Sequence, residues 1–434
     1  MLGNEWVFGY EGQGGFLYWA FGISRIGAPI ILLLAAIGMG AFNFHRHWIR
    51  AALIILCLLF VGALYYLHPL YKGDMVDDYR NFRNTTSMFI LAGLCCLVGY
   101  HIGSSPPTAQ WLLERWAIFL TIVAIYELII RFTTLDKIYF YLEPMWPIRI
   151  FLIFPVCWYL HEILSGSRIR IWSVIAFLAS TLNIVIAFHK PIIGSMIVST
   201  IVLFAFEIKR GGNVRTIFRF AILAVVGVIG FTVVDNYTSG EISGLAQKII
   251  SKKFLHEGRH DAAGSLWETI DKASGGRLEM WNDALIKFAE SPIIGYGPDQ
   301  TVLLSRTDLP LHNTYLESLL VLGLLGSAPF FIGIVWWFCR VLNKQALLLQ
   351  GNLIIPCVAC AFAFLFFSFI GVSTMFNTMI PFCVALMSVS FALAEQARLN
   401  CEAKTIRPLL GKASNQSLMT ARLPQPGKII PPKQ

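Results

Sequence analysis

The chain has 434 residues, of which 56% are apolar and only 14% charged, against about 25% charged in an ordinary soluble protein. That shortfall excludes a typical cytosolic enzyme, a disordered chain and a disulfide-stapled secreted domain. The net charge of +9 does not mark a nucleic-acid partner, because the basic residues sit between apolar blocks of roughly 20 residues, each long enough to cross a ~30 Å hydrocarbon layer as a helix.

In chain order, residues 1–27 carry Glu5, Glu11 and several glycines and make a poor span. Two readings stay open there: an N-terminus outside the membrane, or a short twelfth helix at about 12–24. No basic segment precedes an apolar core, which argues against a cleaved signal peptide. From 28 to 234 the pattern predicts eight membrane helices, at 28–44, 49–67, 86–103, 112–130, 147–163, 171–188, 191–208 and 216–234. Residues 235–313 form one large polar insert. Three more spans follow in 314–394, at 314–339, 352–369 and 372–394. The basic tail 395–434 loses its apolar periodicity and is expected to be disordered near anionic headgroups. The expected fold is an all-α polytopic membrane protein with 11–12 transmembrane helices.

Charge sets the orientation. The segments on the C-terminal side hold 18 of the 34 Lys and Arg, and the opposite side 16, of which eight lie in the insert. Long loops escape the positive-inside rule, so the contrast among short segments is 18 against 8. The C-terminus is expected in the cytoplasm and the insert outside. Eight cysteines lie in the spans and Cys401 in the tail, so neither a structural disulfide nor a thiolate metal site is expected.

Inside the insert, Leu278, Trp281, Ala284, Leu285 and Phe288 recur at helical spacing over 277–290. Ser291-Pro292 ends that helix, and Gly295-Tyr296-Gly297-Pro298 reads as a turn. A second amphipathic stretch, 242–254, would lay Ile242, Leu245, Ile249 and Ile250 on the membrane surface.

Three elements could carry chemistry. His312-Asn313 stands where the insert becomes a membrane helix, and a neutral imidazole there can take a proton from a hydroxyl. Gly323 and Gly326 follow on that helix, where small residues let a neighbouring helix approach. The alternative is a histidine that caps a helix and glycines that only pack. Arg277, after Gly275-Gly276, opposes the macrodipole of the helix it starts, and its fork suits a diphosphate; a surface arginine without a duty is the other reading. His189-Lys190-Pro191 forms a tight turn with proline fitted to the first helical turn, so Lys190 beside that positive end makes a small anion site. A snorkelling lysine explains it equally.

Together these elements resemble the O-antigen ligase/polymerase family of bacterial envelope glycosyltransferases. The resemblance covers roughly 180–340 and rests on GGRLEMW (275–281), SPIIGYGPDQ (291–300) and HNTYLESLLVLGLLG (312–326), with the family's His-Asn, nine residues, Gly-x-x-Gly pattern met at every position. It implies a GT-C-like membrane fold and His312 as the base. Arg277 and Lys190 would bind the diphosphate, with Asn313, His189, Trp281, Gly323 and Gly326 in support. Relatives often carry Ser-Arg-Gly where this chain has His189-Lys190-Pro191, so Lys190 replaces an arginine as a point charge.

The implied reaction is transfer or polymerisation of an undecaprenyl-diphosphate-linked glycan at the periplasmic face of the inner membrane, without cofactor or metal. The donor would be a polyprenyl-diphosphate-linked oligosaccharide, and the acceptor a glycan, a lipid A-core or a protein hydroxyl. Membrane lipids surround the protein. A transporter without chemistry is the alternative of another class. His256-Glu257-Gly258-Arg259-His260 is also a formal zinc-protease motif, but Gly258 weakens the helix it requires and Arg259 would set a positive charge near the metal.

Overall fold

The computed structural model describes residues 91–133, 150–166, 169–186, 190–211, 216–223, 277–296, 313–370 and 379–420, together with residues 225, 232, 236 and 311. Every element among them is helical. In chain order they are α1 (Leu91–Gly103), α2 (Pro106–Thr133), α3 (Ile153–Ser165), α4 (Ile171–Ile186), α5 (Lys190–Arg210), α6 (Arg277–Glu290), α7 (Thr314–Val341), α8 (Lys344–Ile370) and α9 (Met379–Thr420), with a further helical stretch at 216–223. The spans expected at 28–44 and 49–67 lie outside these residues, as do the segment 1–27 and the amphipathic stretch 242–254.

Among the described residues, four helices are long and apolar enough to cross a membrane: Pro191–Arg210, Thr314–Val341, Lys344–Phe369 and Ile380–Cys401. The expectation of eleven spans is thus met in part. α1 and α4 are apolar but short. The block expected at 112–130 is the 28-residue α2, which includes Glu114, Arg115 and Glu127. Its outer stripe is nevertheless built for lipid: Trp111, Phe119, Ile122, Tyr126 and Ile129 are all exposed, at the three-to-four-residue spacing of one helix face. Two boundaries move. α8 begins at Lys344 rather than 352, but its backbone leaves the helix at Gln350 (φ −128°, ψ 15°), so the segment beyond that kink starts within two residues of the expected 352. α9 continues through the segment expected to be disordered as far as Thr420; Ala394-Glu395-Gln396-Ala397-Arg398-Leu399 is a run of good helix formers that needs no apolar face.

α8 is the central post. It packs against α3, α5, α7 and α9, and Cys357, Val358, Ala359, Cys360 and Ala361 are all fully buried. Small side chains there let the neighbours approach. α1 meets α9 the same way: a Cβ on Gly99 would come 2.6 Å from the Ala385 carbonyl oxygen, and one on Gly103 2.8 Å from Ala392 Cβ.

With no water in a bilayer core, buried polar groups must find partners inside the bundle. Asn183 Nδ2 donates to the Ala124 carbonyl (3.2 Å) and ties α4 to α2. Trp337 Nε1 donates to Ser390 Oγ (2.9 Å) and ties α7 to α9. Arg219 sends Nη1 to the carbonyls of Ile163, Leu164 and Gly166, which closes the C-terminal end of α3. His161 of α3 pairs through Nδ1 with Glu207 Oε1 of α5, both side chains being almost fully buried.

Removing one partner of a buried pair strands the other, at a cost of about 3–5 kcal/mol, whereas replacing both with apolar groups is often neutral. His161→Leu should therefore lower the thermal midpoint of the purified protein far more than the double variant His161→Leu/Glu207→Leu. Equal destabilisation by the two would show that the pair does not join α3 to α5 energetically.

Candidate functional site

α7 looks continuous in sequence but breaks at Gly323, whose φ of 63° and ψ of −171° lie outside any helix. The first segment, Thr314–Leu322, is capped by Asn313. Its backbone is extended, and its side-chain oxygen accepts from the amides of Tyr315 and Leu316, both at 3.1 Å. This satisfies two of the free amides at a helix start. Asn313 is 1% exposed. The second segment resumes at Leu324 and runs to Val341.

A break inside an apolar span frees backbone groups that must be paired again. The turn after α6 supplies the partners. Leu324 donates to the Pro292 carbonyl (2.8 Å) and Leu325 to that of Ile293 (3.0 Å), while Tyr296 N–H donates to the Leu320 carbonyl (2.7 Å). Ser327 Oγ spans the break to the Ser318 carbonyl at 2.9 Å. The approach leaves no room for side chains. A Cβ on Gly295 would lie 2.6 Å from Gly323 N, and one on Gly323 would collide with the Ile293 carbonyl. The SPIIGY stretch and the His-Asn…Gly-x-x-Gly stretch thus form one backbone-paired unit. The sequence expectation that Gly323 admits a neighbouring helix is corrected: what it admits is the turn 291–296. Gly326 stays helical, and a Cβ there would meet only its own turn, Leu322 Cβ at 2.7 Å.

The turn is held from behind. Ser291 Oγ donates to the Gly295 carbonyl (2.9 Å), and the Tyr296 hydroxyl reaches the Lys287 carbonyl (2.9 Å) and Glu290 Oε2 (2.7 Å). Desolvation, with the Glu290 charge behind it, pushes the Tyr296 hydroxyl up to about 12, so it remains a donor at any physiological pH.

α6 then rests on α7 through a small core of Met280, Ala284, Leu311 and Leu320, with Phe288, Tyr296 and Leu316 around it. Leu285, expected on the inward face, is 49% exposed; the buried stripe is centred on Met280 and Ala284, about one position round the helix. Trp281 Nε1 donates to the Leu311 carbonyl at 3.0 Å, and its ring meets Phe369 of α8 at 5.2 Å. Tyr315 completes this wall by donating to the Leu365 carbonyl at 2.8 Å and stacking on Phe331.

Of the residues singled out from sequence, Trp281 and Asn313 meet the start of α7, Trp281 through the Leu311 carbonyl and Asn313 as its cap, while Gly323 stands at the break and Gly326 three residues beyond it. Arg277 is the first residue of α6, one turn before Trp281, and burial pulls its pKa below the ordinary value; a guanidinium still stays charged at neutral pH. Lys190 begins α5, as the anion-site reading requires of the backbone. His189 and His312 lie outside the described residues, as do His256, Glu257 and His260. Sequence reasoning passed over Glu317. It is 3% exposed, in the first turn of α7, where its charge suits the helix dipole. The signal was available, since a carboxylate in an apolar span is a functional pointer.

Helices crossing the bilayer, with a broken span clasped by an extramembrane helix and turn, define a polytopic α-helical membrane protein. Its family link comes from comparison: the model of the family described as O-antigen ligase matches residues 163–331. An uncharacterized protein of Haemophilus influenzae is 33% identical over 126 residues, which cover 24% of this chain and 32% of that protein. The chain therefore spans about a third of the length of that relative. The likeness to the O-antigen ligase family is thus carried by residues 163–331.

Strain and collision predict a sharp contrast among the glycines of α7. Gly323→Ala should destabilise the protein by about 1–3 kcal/mol, the cost of a forced backbone conformation, before any clash is counted. A Cβ on Gly333 meets nothing within 4 Å, and Gly333→Ala should leave the thermal midpoint unchanged or slightly raised. Similar midpoints for the two variants would contradict the docked break.

Proposed function

We propose that the chain is a glycosyltransferase of the O-antigen ligase/polymerase type, acting at the periplasmic face of the bacterial inner membrane on an undecaprenyl-diphosphate-linked glycan. The observation that carries this reading is the Trp281–Leu311 hydrogen bond. It ties the helix that begins at Arg277 to the residue just before His312 in the chain, while the Asn313 cap fixes the residue just after it.

In the proposed reaction, Arg277 and Lys190 neutralise the diphosphate. His312 takes the proton of the acceptor hydroxyl, and the oxygen forms its bond to the anomeric carbon as the bond from that carbon to the diphosphate breaks, with inversion. The electron pair leaves on the diphosphate, whose growing charge the cations stabilise. A GT-C-like arrangement, a periplasmic insert and a cytoplasmic C-terminus belong to the same reading. Polymerase, lipid A-core ligase and protein O-oligosaccharyltransferase share this chemistry and differ only in acceptor.

His312→Ala should abolish transfer from a purified fluorescent polyprenyl-diphosphate oligosaccharide while leaving the thermal midpoint in place; retained activity would end the base assignment. Arg277→Ala should raise the KM for donor by roughly tenfold or more, the loss of one charge-assisted contact. Trp281→Phe keeps the ring and removes the donor to Leu311, and should lower kcat with little change in donor KM. A gel ladder of multiples from donor alone would identify a polymerase; product formed only with added lipid A-core or peptide would identify a ligase or an oligosaccharyltransferase.

A further inference from the structure

At the end of α7 remote from Asn313, a cavity of about 770 Å³ opens among α2, α3, the start of α8 and the segment joining α3 to α4. It serves none of the chemistry above. Trp158 lines it eight residues before Gly166, so along α3 it reaches about 12 Å into the bundle. That depth matches the headgroup layer rather than the middle of a membrane.

Its wall is polar but not uniformly basic. Arg170 and Glu162 both line it, one guanidinium and one carboxylate. His161 adds no free charge, since it is paired with Glu207. Glu162 is held in place by Ser173, whose hydroxyl donates to Oε2 at 2.7 Å. Arg170 is exposed at the mouth. An anionic headgroup would meet Glu162, and a cationic one would meet Arg170. A zwitterion answers both.

Trp158 is 5% exposed and its ring closes the inner end of the lining. Leu349 and Leu353 supply an apolar wall beside it, where a glycerol backbone and its first methylenes would lie.

We propose that this cavity is a binding site for the phosphoethanolamine headgroup of a membrane phospholipid. Glu162 accepts from the ammonium and Arg170 holds the phosphate. The site is on the membrane face opposite the proposed transfer chemistry and independent of it.

The test is native mass spectrometry of the full chain, released from mixed micelles holding phosphatidylethanolamine, phosphatidylcholine and phosphatidylglycerol in equal amounts. One phosphatidylethanolamine should be retained in preference to the other two. Glu162→Gln should cut that retention by roughly tenfold, as expected for one lost charge-assisted hydrogen bond, and should shift the preference towards phosphatidylglycerol. Equal retention of the three lipids by the unaltered protein would overturn the proposal, as would an unchanged profile in Glu162→Gln. Displacement of the lipid by an equal concentration of free phosphoethanolamine would overturn the assignment to a lipid.

Discussion

A span of apolar helix cannot be interrupted in lipid unless every backbone group it frees is paired again, and the structure around α7 follows from that constraint. Gly323 takes a conformation only glycine adopts comfortably, so the ladder of α7 fails there. Pro292, Ile293 and Tyr296 repair it with three main-chain hydrogen bonds. Because the repair comes from another part of the chain, the polar insert is fastened to the membrane domain by main chain as well as by the side-chain core beneath α6. Side chains on both sides must then be absent at the crossing, which accounts for Gly295 as well as Gly323.

That clasp explains how a helix outside the membrane can contribute to a site at its surface. α6 is mildly amphipathic and would not hold a fixed position unaided; isolated helices of its length are marginal in water. Anchored by the turn at its C-terminal end and by Trp281 near its N-terminal end, it keeps Arg277 within one helical turn of a fixed point. A cation that is to meet a diphosphate productively needs such restraint, because misplacement by an ångström is costly in rate.

The parts of this arrangement differ in how far they could be read from sequence. The helix 277–290 was legible from periodicity, since its apolar positions must face something; its inward direction came out one position off because Met280 outcompetes Leu285 for the core. The turn at 291–296 was legible from Ser-Pro and Gly-Tyr. What it docks against was not, because the partners are about thirty residues away and the contact is made by main chain, which leaves no side-chain pattern. Gly323 stood out as a glycine in an apolar run, yet composition cannot distinguish a glycine that packs from one that breaks a helix. The span from 352 was legible from hydropathy, whereas the polar turns before the kink at Gln350 were not, because Gln345 and Gln350 interrupt the apolar run.

α9 has a consequence of another kind. Its apolar part ends at Cys401, but the helix continues to Thr420, a further stretch of about 28 Å at the usual rise per residue. The chain therefore leaves its apolar span as a rod. A spectroscopic label placed at position 420 has its distance from the end of that span set by helix rise instead of by a random coil.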